Sequence, residues 1–226
     1  MVKENLLRVK ERIADACARV GRSPQEVQIV AVTKTHPVSL IKEAAEAGVS
    51  IIGENRVQEA AEKFAEVGKL VEWHLVGHLQ RNKVKKALEI FSMIHSLDSI
   101  SLADEIEKES AAIEKLTPCL VEVNTSGEES KFGVEPDKLA GLVAPVLKYE
   151  HIKLVGLMTV GPLTEDKERI RSSFRLLHEL RNRAENVFGC YLPHLSMGMS
   201  DDFETAIEEG ATMVRLGRVI FGPRIR

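Results

Sequence analysis

Residues 27–39 read VQIVAVTKTHPVS. Val27 to Thr33 are mostly aliphatic and β-branched, which is strand chemistry, and Pro37 stops the run. Side chains alternate along a strand, so Gln28, Val30, Val32 and Lys34 share one face, and Val27, Ile29, Ala31 and Thr33 the other. Both faces are largely apolar, which fits a parallel sheet covered on each side better than a half-exposed antiparallel one. The strand also carries a lysine to its end, and lysine seldom enters a protein interior without a partner.

Similar runs recur at 49–53, 73–77, 92–96, 119–124, 152–158, 193–196 and 212–216. Helical patterns fill the gaps: VSLIKEAAEAG, NRVQEAAEKFAEVG, LQRNKVKKALEIF, SISLADEIEKESAAIEKL, PDKLAGLVAPVLKY, EDKERIRSSFRLLHELRNRAENVFG and DDFETAIEEG. Several of them close on a glycine. Eight strands alternating with helices predict an α/β fold, a single (βα)8 TIM barrel; an open doubly wound sheet is the alternative that the same alternation allows. The opening MVKENLLRVKERIADACARVG places Leu6, Val9, Ile13, Cys17 and Val20 at helical spacing. One domain is therefore expected over 1–226, with an extra N-terminal helix, 1–21, packed on the barrel.

Composition narrows the function classes. The 226 residues hold 31 Lys plus Arg against 34 Asp plus Glu, a net charge of −3, with no basic block to follow a phosphate backbone, so no nucleic acid is expected as a partner. No apolar run is long enough to span a bilayer, and the charged start is unlike a signal peptide, so no membrane association and a cytoplasmic location are expected. Cys17, Cys119 and Cys190 are far apart and lack a CxxC spacing, and read as reduced thiols. His74 and His78 would meet on a helix, but along a strand they are ~13 Å apart, which disfavours a metal pair. EKESAAIEK and EDKERIR read as solvated helix faces.

In such a barrel the active face is built from the loops that follow the strands. Lys34 falls there, where desolvation would favour the neutral, nucleophilic amine that a Schiff base requires; alternatively it snorkels to water or pairs with a carboxylate. After the seventh strand, SMGMSDDFETAI places a glycine and the hydroxyls of Ser196 and Ser200 before a helix, a setting for an anion or an ordinary capped turn. The eighth strand ends in Arg215 and Gly217, a charge-assisted donor beside a point of close backbone approach. A strand-end lysine joined to an anion cradle on the last two loops is a pattern that neither feature would carry alone.

AVTKTHP, GENRVQE, WHLVGHLQRNK, NTSGEESKFG, GLMTVG, SMGMSDD and VRLGRVIFG resemble, in order and spacing, the pyridoxal phosphate homeostasis proteins, also called the proline synthase co-transcribed family. That family is a barrel similar to the N-terminal domain of bacterial alanine racemase. The resemblance implies that Lys34 carries pyridoxal 5′-phosphate (PLP) as a covalent aldimine. It implies that Ser200 and the backbone around Gly217 and Arg218 hold the phosphate, that Arg215 faces the pyridine nitrogen, and that Asn55 and Met158 line the ring. Arg218 stands where the family usually has threonine, and Lys131 matches a second lysine near the mouth.

An arginine at the ring nitrogen disfavours a pyridinium, because adjacent positive charges repel, and so weakens the ring as an electron sink. A racemase tolerates that arginine but, by the same resemblance, needs a tyrosine base from a C-terminal β domain. Tyr149 and Tyr191 precede the sixth and seventh strands, on the wrong side of the barrel, and Arg226 follows closely on the eighth strand. The expected function is therefore PLP binding that buffers or delivers the cofactor in vitamin B6 homeostasis, without catalytic residues or a metal. Expected partners are PLP and PLP-dependent apo-enzymes, and the expected state is a monomer. An amino-acid racemase using a lysine with His74 or His78 is the second reading, and a lysine Schiff-base aldolase the third.

Overall fold

A computed structural model describes residues 1–128 and 130–223. Eight strands, β1 (Gln28–Val32), β2 (Ile51–Glu54), β3 (Glu72–Leu75), β4 (Met93–Leu97), β5 (Thr117–Glu122), β6 (Ile152–Met158), β7 (His194–Ser196) and β8 (Met213–Leu216), pair in parallel and in order. β8 returns to β1, so the sheet closes into a barrel. The helices are α1 (Val2–Arg19), α2 (Val38–Glu46), α3 (Val57–Val67), α4 (Val84–Ile90), α5 (Ile100–Ala111), α6 (Leu139–Val146), α7 (Lys167–Phe188), α8 (Phe203–Glu208) and α9 (Arg218–Phe221).

The two faces of each strand go to two different cores, which is why both are apolar. Ala31, Ile52 and Leu157 join the large layer between strands and helices. Val30 instead packs inside the barrel with Ile51, Leu120, Val155, Met158 and Met213. The set Gln28, Val30, Val32 thus faces inward, and continuing the alternation carries Lys34 to the barrel mouth.

Strand edges match the sequence reading to within two residues, and β6 matches it at both ends. β5 begins at Thr117, whose N–H is taken by the His151 carbonyl, and ends at Glu122; Val123 still donates its N–H to the Met158 carbonyl at 2.8 Å and also bridges Val134. In α1, Val2, Leu6, Val9, Ile13, Ala16 and Cys17 are buried, but Val20 is 41 % exposed. Val20 is the C-cap, with φ −123°, so the chain has already left the helical path that would have turned it inward. α9 was not expected from the sequence. Its Ile220 and Phe221 are buried, and Asn5 Nδ2 donates to the Ile220 carbonyl at 3.0 Å, tying this turn to α1.

β6 bulges at Val155: its partners on β5 step from Cys119↔Leu154 to Leu120↔Gly156. Gly156 then lies so close to β7 that a Cβ there would sit 2.0 Å from the His194 carbonyl oxygen. Gly156→Ala is expected to destabilise the protein by about 2–4 kcal/mol, because strand separation or the bulge must give. Denaturant unfolding checks this, with an unchanged midpoint as the contrary result.

Candidate functional site

The loops after β1, β2, β6, β7 and β8 enclose a cavity of about 960 Å³ at the barrel mouth. Lys34, Asn55, Ser200, Arg215, Gly217 and Arg218 all line it, so six of the seven residues expected to bind a ligand meet in one place. Met158 does not line it: it lies fully buried below, in the apolar plug with Val30 and Met213. The plug closes the barrel under the cavity, so a ligand enters only from the loop side.

Three backbone features shape this mouth. Gly53 faces inward, and a Cβ on it would come within 2.9 Å of Val30 Cγ1. Gly198 has φ +92° and presses on α8, where a Cβ would lie 2.6 Å from that of Ala206. The loop is further fixed by Asp202 Oδ1, which accepts the Met199 N–H at 2.6 Å. The Val219 N–H, in the first turn of α9, donates to Ser200 Oγ at 3.4 Å, so the loops after β7 and β8 meet at the Ser200 hydroxyl. Arg218 pairs with Asp201 across this junction; both side chains are exposed, so the pair sits on the solvent side of the loops.

Arg215 is 5 % exposed and sits at the cavity floor. Its Nη1 donates to the Ser196 carbonyl and hydroxyl at 2.7 and 2.8 Å, and its Nη2 to the Thr159 carbonyl at 2.7 Å. Burial lowers its pKa to about 10, with Glu122 and Asp202 opposing the shift, so the guanidinium stays charged at neutral pH. Ser196 was expected beside Ser200 as an anion donor, but it is fully buried in β7 and engaged by Arg215. Strand alternation from the inward-facing β7 register takes it into the barrel instead of the loop.

Behind Ser196 runs a polar column that the sequence did not disclose. His95 Nδ1 lies 2.9 Å from Ser196 Oγ, and His95 Nε2 lies 3.0 Å from His74 Nδ1. Burial, reinforced by neighbouring positive groups, holds His95 well below the usual imidazole range, and burial with His194 lowers His74 to about 4. Both rings are therefore neutral at pH 7, with their nitrogens committed to each other and to the serine. His78 is elsewhere, at the rim, with Nδ1 3.3 Å from Asp98 Oδ2 and its ring stacked on Phe132 at 4.2 Å. No group of three or more potential metal ligands occurs among the described residues.

Lys131 Nζ donates to the Gly161 carbonyl at 2.5 Å and lies 3.4 Å from Glu128, a bridge between the loops after β5 and β6. Glu129, within the same motif, lies outside the described residues. Tyr149 precedes β6 and donates to Asp104, while Tyr191 is 79 % exposed before β7, so both stand at the N-terminal ends of the strands, away from the cavity.

The family model for the alanine racemase N-terminal domain matches residues 5–224. A pyridoxal phosphate homeostasis protein of Aquifex aeolicus is 46 % identical over 222 residues, covering 98 % of this chain and 97 % of that one. The protein of the same name in Escherichia coli K12 is 39 % identical over 230 residues, covering 99 % and 97 %. PipY of Synechococcus elongatus PCC7942, solved with PLP bound, superposes with a TM-score of 0.87 at 32 % identity, over 98 % of this chain and all of that one. Alanine racemase of Clostridium difficile 630 shares the fold at a TM-score of 0.76 and 15 % identity, and this chain spans 56 % of its length.

Glu122, at the end of β5 and 6 % exposed, gives the site a measurable pH signature. Burial raises its pKa to about 7, Arg215 draws it down and Asp98 pushes it up. The folded protein therefore holds this proton while the unfolded chain releases it near pH 4.5, so stability from this group is present below that pH and is lost as pH rises towards 7. Glu122→Gln is expected to gain up to about 3 kcal/mol on wild type between pH 4.5 and 7.5. Parallel denaturant titrations at the two pH values test it, and a pH-independent difference would show that folding leaves the Glu122 pKa unshifted.

Proposed function

This chain belongs to the pyridoxal phosphate homeostasis proteins, a family built on the alanine racemase N-terminal domain, and on that footing we propose that it binds PLP at the barrel mouth and buffers or delivers it within vitamin B6 homeostasis. The observation that carries the reading is the convergence of a strand-end lysine, a serine hydroxyl and two arginines in one cavity closed from below.

The donor set suits a phosphorylated aldehyde. Lys34 supplies the amine for the carbonyl carbon. Ser200, the Val219 N–H and Arg218 converge on one side of the cavity, where a phosphate would replace Asp201 as the anion beside Arg218. Asn55 flanks the ring, and the approach of Gly77 to the Asn55 backbone holds that residue in place: a Cβ on Gly77 would lie 2.5 Å from the Asn55 carbonyl oxygen. Arg215 is charged and locked by three acceptors, and would face the ring nitrogen.

When bound, PLP supplies an electrophilic aldehyde and a conjugated ring that can accept electron density. A permanently charged Arg215 opposes protonation of that ring, which blunts the second property and leaves the first. The groups that a racemase would use are also engaged elsewhere. His74 is bonded to His95 inside the barrel, His78 lies against Phe132, and both tyrosines stand at the opposite end. Little catalysis is therefore expected, and PLP-dependent apo-enzymes are the recipients that a carrier would serve. The closed barrel leaves no sheet edge for pairing with another copy, which favours a monomer. Among the described residues no helix is long and apolar enough to cross a membrane.

Purified protein incubated with PLP is expected to show a visible absorption band that borohydride abolishes, leaving the cofactor mass on the peptide containing Lys34. Lys34→Ala is expected to lose the band. A wild-type protein that stays colourless would overturn the proposal, and steady exchange of the alanine α-proton in deuterium oxide would favour the racemase reading.

A further inference from the structure

A buried ammonium beneath the loop after β1 takes no part in the cavity. Lys63, on α3 and 8 % exposed, donates to three acceptors at 2.7 Å each: the Thr33 carbonyl, Glu54 Oε1 and Glu59 Oε1. Both carboxylates reach on to the same loop. Glu54 Oε1 accepts the Thr33 hydroxyl at 2.6 Å, and Glu59 Oε1 accepts the Thr35 N–H at 2.6 Å.

These contacts have one residue in common. The Thr33 carbonyl belongs to the peptide group before the Lys34 Cα, and the Thr35 N–H to the peptide group after it. Holding both planes fixes the backbone torsions of Lys34 and so the direction of its Cα–Cβ bond. The grip also holds strain, because Thr35, a β-branched residue, has φ +65°. Glu54 is fully buried, and its Oε2 has no hydrogen-bond partner, so the cluster keeps a desolvated carboxylate for the sake of this arrangement. Burial raises the pKa of Glu54 even though Lys63 and Thr33 oppose it; for Glu59, burial is outweighed by Lys63 and the Thr35 N–H, and its pKa falls. Glu59 is thus held ionised beside Lys63.

We propose that Lys63, with Glu54 and Glu59, is a positioning clamp for Lys34, fixing the path by which its amine meets the ligand's carbonyl carbon. The inference rests on the reading of Lys34 as the covalent anchor of PLP. Preset geometry spares the loop the ordering that bond formation would otherwise require. The clamp should therefore act on covalent binding and not on recognition of the phosphate or ring.

The test compares two ligands on the full-length protein: PLP, and pyridoxine 5′-phosphate, which has an alcohol in place of the aldehyde and cannot bond to Lys34. Lys63→Met is expected to weaken PLP binding tenfold or more and to change pyridoxine 5′-phosphate binding less than twofold, with circular dichroism unchanged. Glu59→Gln keeps an oxygen for the Thr35 N–H but removes the charge, and is expected to give an intermediate loss for PLP alone; it decides the matter if Lys63→Met does not fold. Equal losses for both ligands would make the cluster a general support of the mouth and overturn the proposal, as would unchanged PLP affinity in both variants. The wild-type protein reports separately on the parent reading: if borohydride traps nothing on Lys34, the anchor itself is wrong and the clamp falls with it.

Discussion

Keeping a guanidinium charged inside a closed barrel is the constraint from which most of the interior follows. Arg215 has almost no access to water, so its donors must find acceptors in the protein. It finds them at the Ser196 carbonyl and hydroxyl on β7 and at the Thr159 carbonyl just past β6. Once Ser196 is committed to Arg215, its hydroxyl needs a further partner and His95 supplies it, and His95 in turn leads to His74. One charge therefore sets the side chains at inward positions on β3, β4, β7 and β8, while the apolar plug of Val30, Ile51, Leu120, Val155, Met158 and Met213 fills what remains. Burial is what keeps both histidines neutral, and at His95 the charge of Arg215 adds to it.

Two buried cation systems flank the same cavity with different logic. Arg215 lines the cavity and is held from behind by neutral groups. Lys63 never reaches it, and instead holds the backbone that bears Lys34. The first would set the electronic surroundings of a bound ring and the second, on our proposal, the direction of a reactive amine. Neither His74 nor His95 lines the cavity, whereas His36 does.

The fold was legible because the pattern that specifies it is local. Alternation in 27–33 identified the two-sided strand, and the recurrence of that signature gave eight strands close to where they lie. The mouth was legible for a related reason: in a parallel barrel, strand ends share one rim, so Lys34, Arg215 and Gly217 had to be neighbours if the barrel closed. What stayed hidden depends on contacts across the chain. Ser196 and His95 are 101 positions apart and look like a loop hydroxyl and a strand histidine until the register places them side by side. Lys63 reads as one more charge on an amphipathic helix, although a lysine four residues after Glu59 and nine after Glu54 was a visible hint of a buried pair. Met158 and Val20 were misplaced by a single step of depth or rotation, which a pattern of apolar residues does not encode.

The tie between α1 and α9 bears on how the molecule is made. Asn5 holds the carbonyl of Ile220, a residue 215 positions later, in the same short turn whose Val219 N–H meets Ser200. During synthesis the part of the first helix that α8 and α9 cover thus stays uncovered until nearly the whole chain has left the ribosome. Closure of the barrel, burial of that helix and completion of the anion cradle are then one late event. A nascent chain cannot capture ligand early, and a loaded chain is one whose folding has already finished.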